Sequence, residues 1–304
     1  ENQSQWQKVQ EKLDELPLLK HIVVMSDEQL DGPRTMTWSD FLKLGDKVSP
    51  DAVHERIDTI QPQQQATFIY TSGTTGPPKA VMLSHENLSW TSNQALKLVQ
   101  MDANDVSLSY LPLSHIAEQI FSIHGPITCA STVYFAESIE KLPDNLKEVQ
   151  PTVFFGVPRI WEKFNAGIQA KLALATGFKA KLASRAMSLG RRVNGIKNRG
   201  EAVGFFDKIR YRLYERLVYG KVKTAIGLGR VKICISGAAP ISPEILEFMS
   251  GLDVVIHEVY GQSEDSGPTT FNQPGATKFG SVGPVFPGVE VKLAADDEIL
   301  VRGK

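Results

Sequence analysis

The sequence predicts an α/β fold of mainly parallel sheets flanked by helices, with a small β-rich region near the carboxyl-terminal end. Three observations lead there. Short β-prone runs alternate with helical stretches from residue 67 to residue 257. Hydrophobic residues make up 42% of the 304, enough for a sizeable core. The 24 Gly and 17 Pro are scattered without period, which excludes a fibrous or collagen-like chain.

The elements follow in order. Thr67–Tyr70 is a short β-prone run, and a loop rich in Gly, Ser and Thr comes after it. Ser84 can cap a helix from His85, because its hydroxyl accepts an otherwise orphaned backbone N–H. Strands are expected at 106–111, 132–136, 152–156, 231–236 and 254–257, with helices at 114–127, 139–149, 159–175, 205–226 and 242–250. Pro143 marks a break or a first helical turn. Beyond Gly275, Gly and Pro punctuate the β-prone pieces 289–293 and 299–301. The domain reading is therefore 1–60 as a partial leading segment, 61–274 as the α/β core and 275–304 as the start of a β-rich subdomain.

Cys129 and Cys234 lie far apart and match no metal-ligand spacing, so they read as reduced thiols. No apolar run approaches the ~18–20 residues of a membrane span, and no signal sequence opens the chain. A cytoplasmic location is expected, with peripheral contact on a membrane surface. Net charge is −1, but its distribution is uneven: residues 159–232 carry +14 and the remainder −15. A stretch this basic either attracts lipid or nucleotide phosphates or is a solvated helical face balanced by the acidic remainder. It lacks interleaved aromatics on a nucleic-acid-binding scaffold, so no nucleic acid is expected, and anionic membrane is the expected partner. Arg191, Arg192, Lys197 and Arg199 surround Gly190, Gly195 and Gly200, which predicts an exposed basic loop.

The stretch from Tyr70 to Lys79, Tyr-Thr-Ser-Gly-Thr-Thr-Gly-Pro-Pro-Lys, is the most informative. Placed between a strand and a helix, it would lie at the carboxyl edge of the sheet, where α/β folds bind ligands. Its glycines let successive N–H groups face an anion, its hydroxyls add donors, and Lys79 supplies a point charge for a polyphosphate. Pro78 before the lysine excludes a Walker A loop, and the glycine spacing excludes a kinase loop.

This stretch, with Val81-Met82-Leu83-Ser84-His85, resembles the phosphate-binding signature of the AMP-forming, adenylate-forming enzyme superfamily. Ser236-Gly237-Ala238-Ala239-Pro240 is similar to that family's adenine-site strand end, and Tyr260-Gly261-Gln262-Ser263-Glu264 to its Tyr-Gly-x-Thr-Glu motif. The runs from Leu111 to Glu118 and from Gly156 to Lys163 resemble long-chain fatty-acid–CoA ligases, in particular the bubblegum-like branch.

The resemblance implies the large N-terminal domain of the adenylate-forming fold and two-step chemistry: a fatty acid and ATP give acyl-AMP, then coenzyme A takes the acyl group. It implies that Thr71, Ser72, Gly73, Thr74, Thr75, Gly76 and Lys79 cradle the phosphates. Glu264, with Thr71, would hold Mg²⁺, an ion suited to hard oxygen ligands. Tyr260 would stack on adenine beside Gly261 and Ser263, the backbone of Gly237, Ala238 and Ala239 would line the base's pocket, and His115 would orient the acyl carboxylate.

Other readings of these residues stay open. Glu264 could cap a helix, Tyr260 could be a core aromatic, His115 could be structural, and residues 237–239 could be a tight turn. Ala80 stands where the family has Gly, and Ser263 where it has Thr. The sequence also ends before the family's ribose-binding Asp, hinge and small C-terminal domain, so the resemblance implies a central portion of a longer enzyme. The alternatives are an adenylate-former acting on aryl or amino acids, and a non-catalytic nucleotide- or membrane-binding module.

Overall fold

The computed structural model describes residues 3–26, 30, 32–72 and 76–304, and the chain divides into two compact units after Gln61. In the first unit, helix α1 (Gln3–Gln10) buries Trp6. Strands β1 (Ile22–Val24) and β2 (Thr35–Thr37) pair in parallel, Ile22 opposite Thr35. Helices α2 (Trp38–Gly45) and α3 (Pro50–Asp58) start at hydroxyl caps, with Thr37 accepting from the Asp40 N–H and Ser49 from the Ala52 N–H.

The second unit opens on β3 (Gln65–Thr71) and β4 (Lys79–Ser84), which pair antiparallel from Thr71↔Lys79 to Gln65↔Ser84. The strand-to-helix placement of the 70–79 loop is therefore corrected: the loop closes a hairpin, and the helix begins only after the second strand. The cause is legible at Val81-Met82-Leu83, where Leu83 is buried and Met82 is exposed, the period of two that a half-buried strand requires. Ser84 then caps α4 (His85–Val99) in a reciprocal box with Asn87.

Strands β5 (Val106–Ser109) and β6 (Thr132–Phe135) pair in parallel. Between them run α5 (Ile116–Gln119), a π-helical turn at Ile120–His124 and α6 (Gly125–Cys129). Helix α7 (Leu142–Val149) carries Pro143 in its first turn, as expected. Strand β7 (Val153–Gly156) leads into α8 (Pro158–Ala173), α9 (Gly177–Asn198), α10 (Phe205–Tyr214), a π-helical turn at Glu215–Tyr219 and α11 (Gly220–Ala225). Strand β8 (Ile233–Ser236), helix α12 (Pro243–Gly251) and strand β9 (Ile256–Gln262) follow. Strand β10 (Gly267–Phe271) folds back on β9, and β11 (Glu290–Leu293) with β12 (Ile299–Arg302) forms the antiparallel ribbon anticipated near the end. The sequence reading stopped the ninth strand at His257; it runs on to Gln262 because it has β10 to pair with.

The central sheet has the order β10-β9-β8-β7, with β7, β8 and β9 parallel. Both its faces are covered. Phe154 faces a core with Leu146, Trp161, Leu246, Met249 and Ile256, while its neighbours Val153 and Phe155 face another with Ile233, Ile235, Phe271 and Phe286. A strand buried on both faces reads as a continuous apolar run, as Val153-Phe154-Phe155 does. The α/β reading holds.

The lower corner of this sheet carries a polar staple that no motif announced. Asp105, almost fully buried, accepts from Thr152 Oγ1 at 2.6 Å and pairs with Lys232 at 2.8 Å, tying together the residues that lead into β5, β7 and β8. Burial pushes the Asp105 carboxyl up, but the bonds from Lys232 and Thr152 outweigh it and hold the group below its usual range. No helix among the described residues is long and apolar enough to cross a membrane.

The expected basic loop at 190–200 is also corrected. Helix α9 continues to Asn198, burying Ala186, Met187, Gly190, Val193 and Asn194 at helical spacing. Asn194 Nδ2 donates to the Ser250 carbonyl at 2.8 Å. Gly190 is there for contact: a Cβ at this position would lie 2.3 Å from the Gly251 carbonyl oxygen of α12. On an open helix Gly→Ala stabilises by about 1 kcal/mol. Gly190→Ala should instead destabilise by roughly 1–3 kcal/mol, because backbone must move apart from backbone. Urea midpoints of variant and parent chain test this, and an unchanged or raised midpoint would refute the close-packing role.

Candidate active site

The parallel strands end on one edge, and the residues just past their ends surround a cavity of about 360 Å³. Leu111 follows β5, Val157 follows β7, Ala238 follows β8, and Gly261, Gln262 and Ser263 stand at the end of β9 and just beyond it. Helix α4 adds Ala95, Leu98 and Val99, and the α5 region adds His115, Ile116, Ile120 and Phe121. The lining is mostly aliphatic and aromatic, with His115, Gln262 and Ser263 as its polar side chains, a composition suited to an apolar ligand bearing one polar end. Phe121 stacks on Phe155 at 5.0 Å between ring centres and closes one wall.

Four residues predicted from sequence meet around this space: His115, Ala238, Gly261 and Ser263. His115 occupies the N-cap position of α5, is exposed, and makes no capping bond through its ring. Its ring makes no hydrogen bond among the described residues. Ala238 has φ +70°, a left-handed conformation costing an alanine about 1–2 kcal/mol, so the turn after β8 is held in shape by its surroundings. Its neighbour Gly237 fits against Val259 and Phe155, where a Cβ would come within 2.6 Å of Val259 Cγ1. At Gly261 a Cβ would lie 1.9 Å from the Gly267 carbonyl oxygen, so only glycine lets β10 fold back at this point. Tyr260 is half-buried next to it, and Ala239 is exposed in the same turn as Ala238.

The phosphate-loop residues form a second group. Register places Thr71 directly opposite Lys79 at the mouth of the hairpin, and directly opposed β-carbons lie about 4.5–5.5 Å apart. Ser72 and Gly76 flank the turn, while Gly73, Thr74 and Thr75 lie outside the described residues. The hairpin is anchored to the cavity wall, since Ile69 and Leu83 pack with Leu88, Ile116 and Ile120 in one apolar cluster. Glu264 sits in the short turn Ser263–Asp265 between β9 and β10, exposed and without a hydrogen bond or ion pair among the described residues. Lys79 is likewise exposed and unpaired among them. Neither residue lines the apolar cavity.

Among the described residues, no three His, Cys, Asp or Glu side chains gather to hold a metal ion. The two expected Mg²⁺ ligands are one unpaired carboxylate and one hydroxyl. Both are hard oxygen donors of the kind that would suit Mg²⁺.

Sequence reasoning missed four groups around the site, buried Glu118, His257 and Glu258 and half-buried Tyr110. Glu118, buried one turn into the α5 segment, accepts from Ser109 Oγ at 2.5 Å and Ser122 Oγ at 2.6 Å. The Tyr110 hydroxyl accepts from the Val157 N–H at 3.1 Å. Burial pushes that hydroxyl up to about 12, and the Glu118 charge adds to the rise. His257 and Glu258 on β9 hold the 272–283 loop: Thr277 donates to the Gln273 carbonyl, so its oxygen accepts from His257 Nδ1 at 2.8 Å. The Gly280 N–H donates to Glu258 at 3.2 Å, and burial raises that carboxyl.

Helix-like and strand-like runs did reveal these segments, but a buried acid inside an apolar run carries no sign of its partners. The match to known proteins settles the family. The AMP-binding enzyme model matches residues 2–304. The chain belongs to the AMP-binding enzyme family. Among curated relatives, it is 39% identical over 317 residues to the long-chain-fatty-acid–CoA ligase ACSBG2 of Xenopus laevis, covering 100% of this chain and 42% of that protein. It is 36% identical over 308 residues to the human long-chain-fatty-acid–CoA ligase ACSBG1, covering 98% and 42%. The chain thus spans about two fifths of the length of these relatives.

Its fold is that of solved family members. It matches the anthranilate CoA ligase AuaEII in complex with anthranoyl-AMP with a TM-score of 0.65 at 17% identity, covering 99% of this chain and 50% of that one. It matches a malonyl-CoA ligase with methylmalonyl-CoA and AMP bound with a TM-score of 0.61 at 19% identity, covering 97% and 54%.

Within this family fold, His257 makes an acid-sensitive joint. Burial pushes its imidazole down to about 4, against a hydrogen bond to the Asn272 backbone that works the other way. The unfolded chain, with a histidine near 6.5, therefore binds the proton more readily. Its contribution is complete above pH 6.5 and declines as pH falls toward 4, by roughly 3 kcal/mol. The raised Glu258 carboxyl acts in the opposite direction, losing stability as pH rises. Melting curves between pH 7 and 4.5 should therefore be flatter for His257→Gln than for the parent; equal slopes would remove His257 from the cause.

Proposed function

We propose that this AMP-binding chain is the nucleotide- and acyl-binding core of a long-chain fatty-acid–CoA ligase. The observation that carries the reading is the largely apolar cavity lined in part by Ala238, Gly261 and Ser263, at the edge where the sheet's strands end. The ligase names of the relatives support it, and the ligand chemistry of the edge agrees. ATP is the substrate whose adenine lies between the Gly237–Ala239 turn and Tyr260, with its β- and γ-phosphates at the 71–79 hairpin turn. Lys79 draws charge from those oxygens, and the turn's N–H groups supply further donors. Glu264 and Thr71 would hold Mg²⁺, which would neutralise phosphate charge when bound.

The acyl chain fills the apolar cavity and leaves its carboxylate at His115. A carboxylate oxygen forms a bond to the α-phosphorus, and the bond to the bridging oxygen breaks, releasing pyrophosphate with the electron pair. Coenzyme A then gives up its thiol proton, its sulfur bonds to the acyl carbon, and AMP departs. The enzyme's part is positioning and electrostatic complementarity more than proton transfer.

The test is hydroxylamine trapping of the activated acid by the full-length protein, offered palmitate, benzoate and an amino acid with Mg-ATP. Hydroxamate from palmitate alone supports the fatty-acid reading. Hydroxamate from benzoate or the amino acid assigns a different acid, and none from any acid supports a non-catalytic module. Lys79→Ala and Glu264→Gln should each lower the palmitate rate about 10²- to 10³-fold.

A further inference from the structure

On helix α10 and the π-helical turn after it, the two acids and the Tyr211 hydroxyl are turned inward and paired, while large apolar groups and four cations are turned outward. On the inner face, Asp207 pairs with Arg192 at 2.6 Å and Glu215 with Lys223 at 3.0 Å. The Tyr211 hydroxyl lies 3.0 Å from Asn194 Oδ1 and donates to Asp253, which also pairs with Lys223 at 2.7 Å. Lys197 sits 4.3 Å above the Tyr211 ring. This network fixes the helix's rotation.

The outer face carries Phe205, Phe206, Ile209, Leu213 and Leu217, each between 41% and 75% exposed. At about 100° per residue these five fall within an arc of roughly 120°. Lys208 and Arg212 border that arc on one side and Arg210 on the other, and Arg216 lies within it one turn on. None of the four cations has an ion-pair partner among the described residues. Both acids of the segment are consumed on the inner face, so the outer face is apolar and uniformly positive.

We infer that the Phe205–Leu217 face is a docking surface for an anionic lipid bilayer. An apolar stripe a few side chains wide, edged by unpaired cations, is the composition that lies in the headgroup boundary, with each cation near the surface adding to the attraction. Four of the 18 cations of residues 159–232 lie along this face. Docking here is independent of which acid the cavity activates.

The full-length protein is sedimented with sucrose-loaded vesicles of phosphatidylcholine alone or with added phosphatidylserine, at fixed ionic strength. It should partition strongly onto the anionic vesicles and at least tenfold less onto the neutral ones. Arg210→Gln with Arg212→Gln should weaken partitioning roughly thirtyfold. Ile209→Ser with Leu213→Ser should weaken it at least tenfold, and Phe206→Ser serves if that pair shifts the melting temperature. Excess inorganic phosphate at the same ionic strength should leave binding unchanged. Partitioning that survives all these variants, or competition by free phosphate, overturns the inference. So does a parent protein that ignores vesicles but self-associates through this face, with the same variants returning it to monomer.

Discussion

Parallel registration of β7, β8 and β9 is the constraint from which the rest of the site follows. Because Ile235 pairs with Phe155 on one side and His257 on the other, the turns after Gly156, Ser236 and Gln262 are delivered to one edge. The registration is enforced from both faces. Val153, Phe155, Ile233 and Ile235 bury on one side, and Phe154, Cys234 and Ile256 on the other. A slip by one residue would exchange these sets and place every apolar side chain of a strand against the wrong core. The Asp105–Thr152–Lys232 staple fixes the opposite end of the strands, where no ligand group is needed.

Given that edge, the local departures from regular geometry acquire a purpose. Ala238 is left-handed where the chain must turn sharply off β8, and Gly261 admits the β10 backbone where β9 turns back. Buried Glu118 and half-buried Tyr110 tie the start of α5 and the exit of β7 to the sheet, so the cavity wall that carries Ile116 and Phe121 is braced from behind. Lys79 and Glu264 are the reverse: both are exposed and without side-chain partners among the described residues.

Much of this was legible in the sequence, for physical reasons. Strands such as Val153–Gly156 and Ile233–Ser236 announce themselves as unbroken apolar runs, and Pro143 and Ser84 mark helix starts because their backbone chemistry suits only those positions. His115, Ala238 and Gly261 were singled out by the resemblance of their segments to family motifs, and all three line the cavity. Two local readings failed where one residue pattern serves two structures. Val81-Met82-Leu83 looked like the approach to a helix but alternates like a strand once Thr71 and Lys79 pair across the turn. Gly190 looked like a loop signal, yet its missing side chain is what lets α9 and α12 touch. Glu118, His257 and the inward pairing of Asp207 and Glu215 were beyond reach, because an ion pair across distant residues leaves no local trace.

The most direct test of the edge as a nucleotide and acyl site is the electron density of a non-hydrolysable acyl-adenylate mimic bound to the full-length protein. The adenine should lie between Ala238 and Tyr260, with the acyl tail among Ile116, Phe121 and Phe155. Density for the adenine at any other edge of the sheet, or an acyl tail outside that cavity, would contradict the assignment.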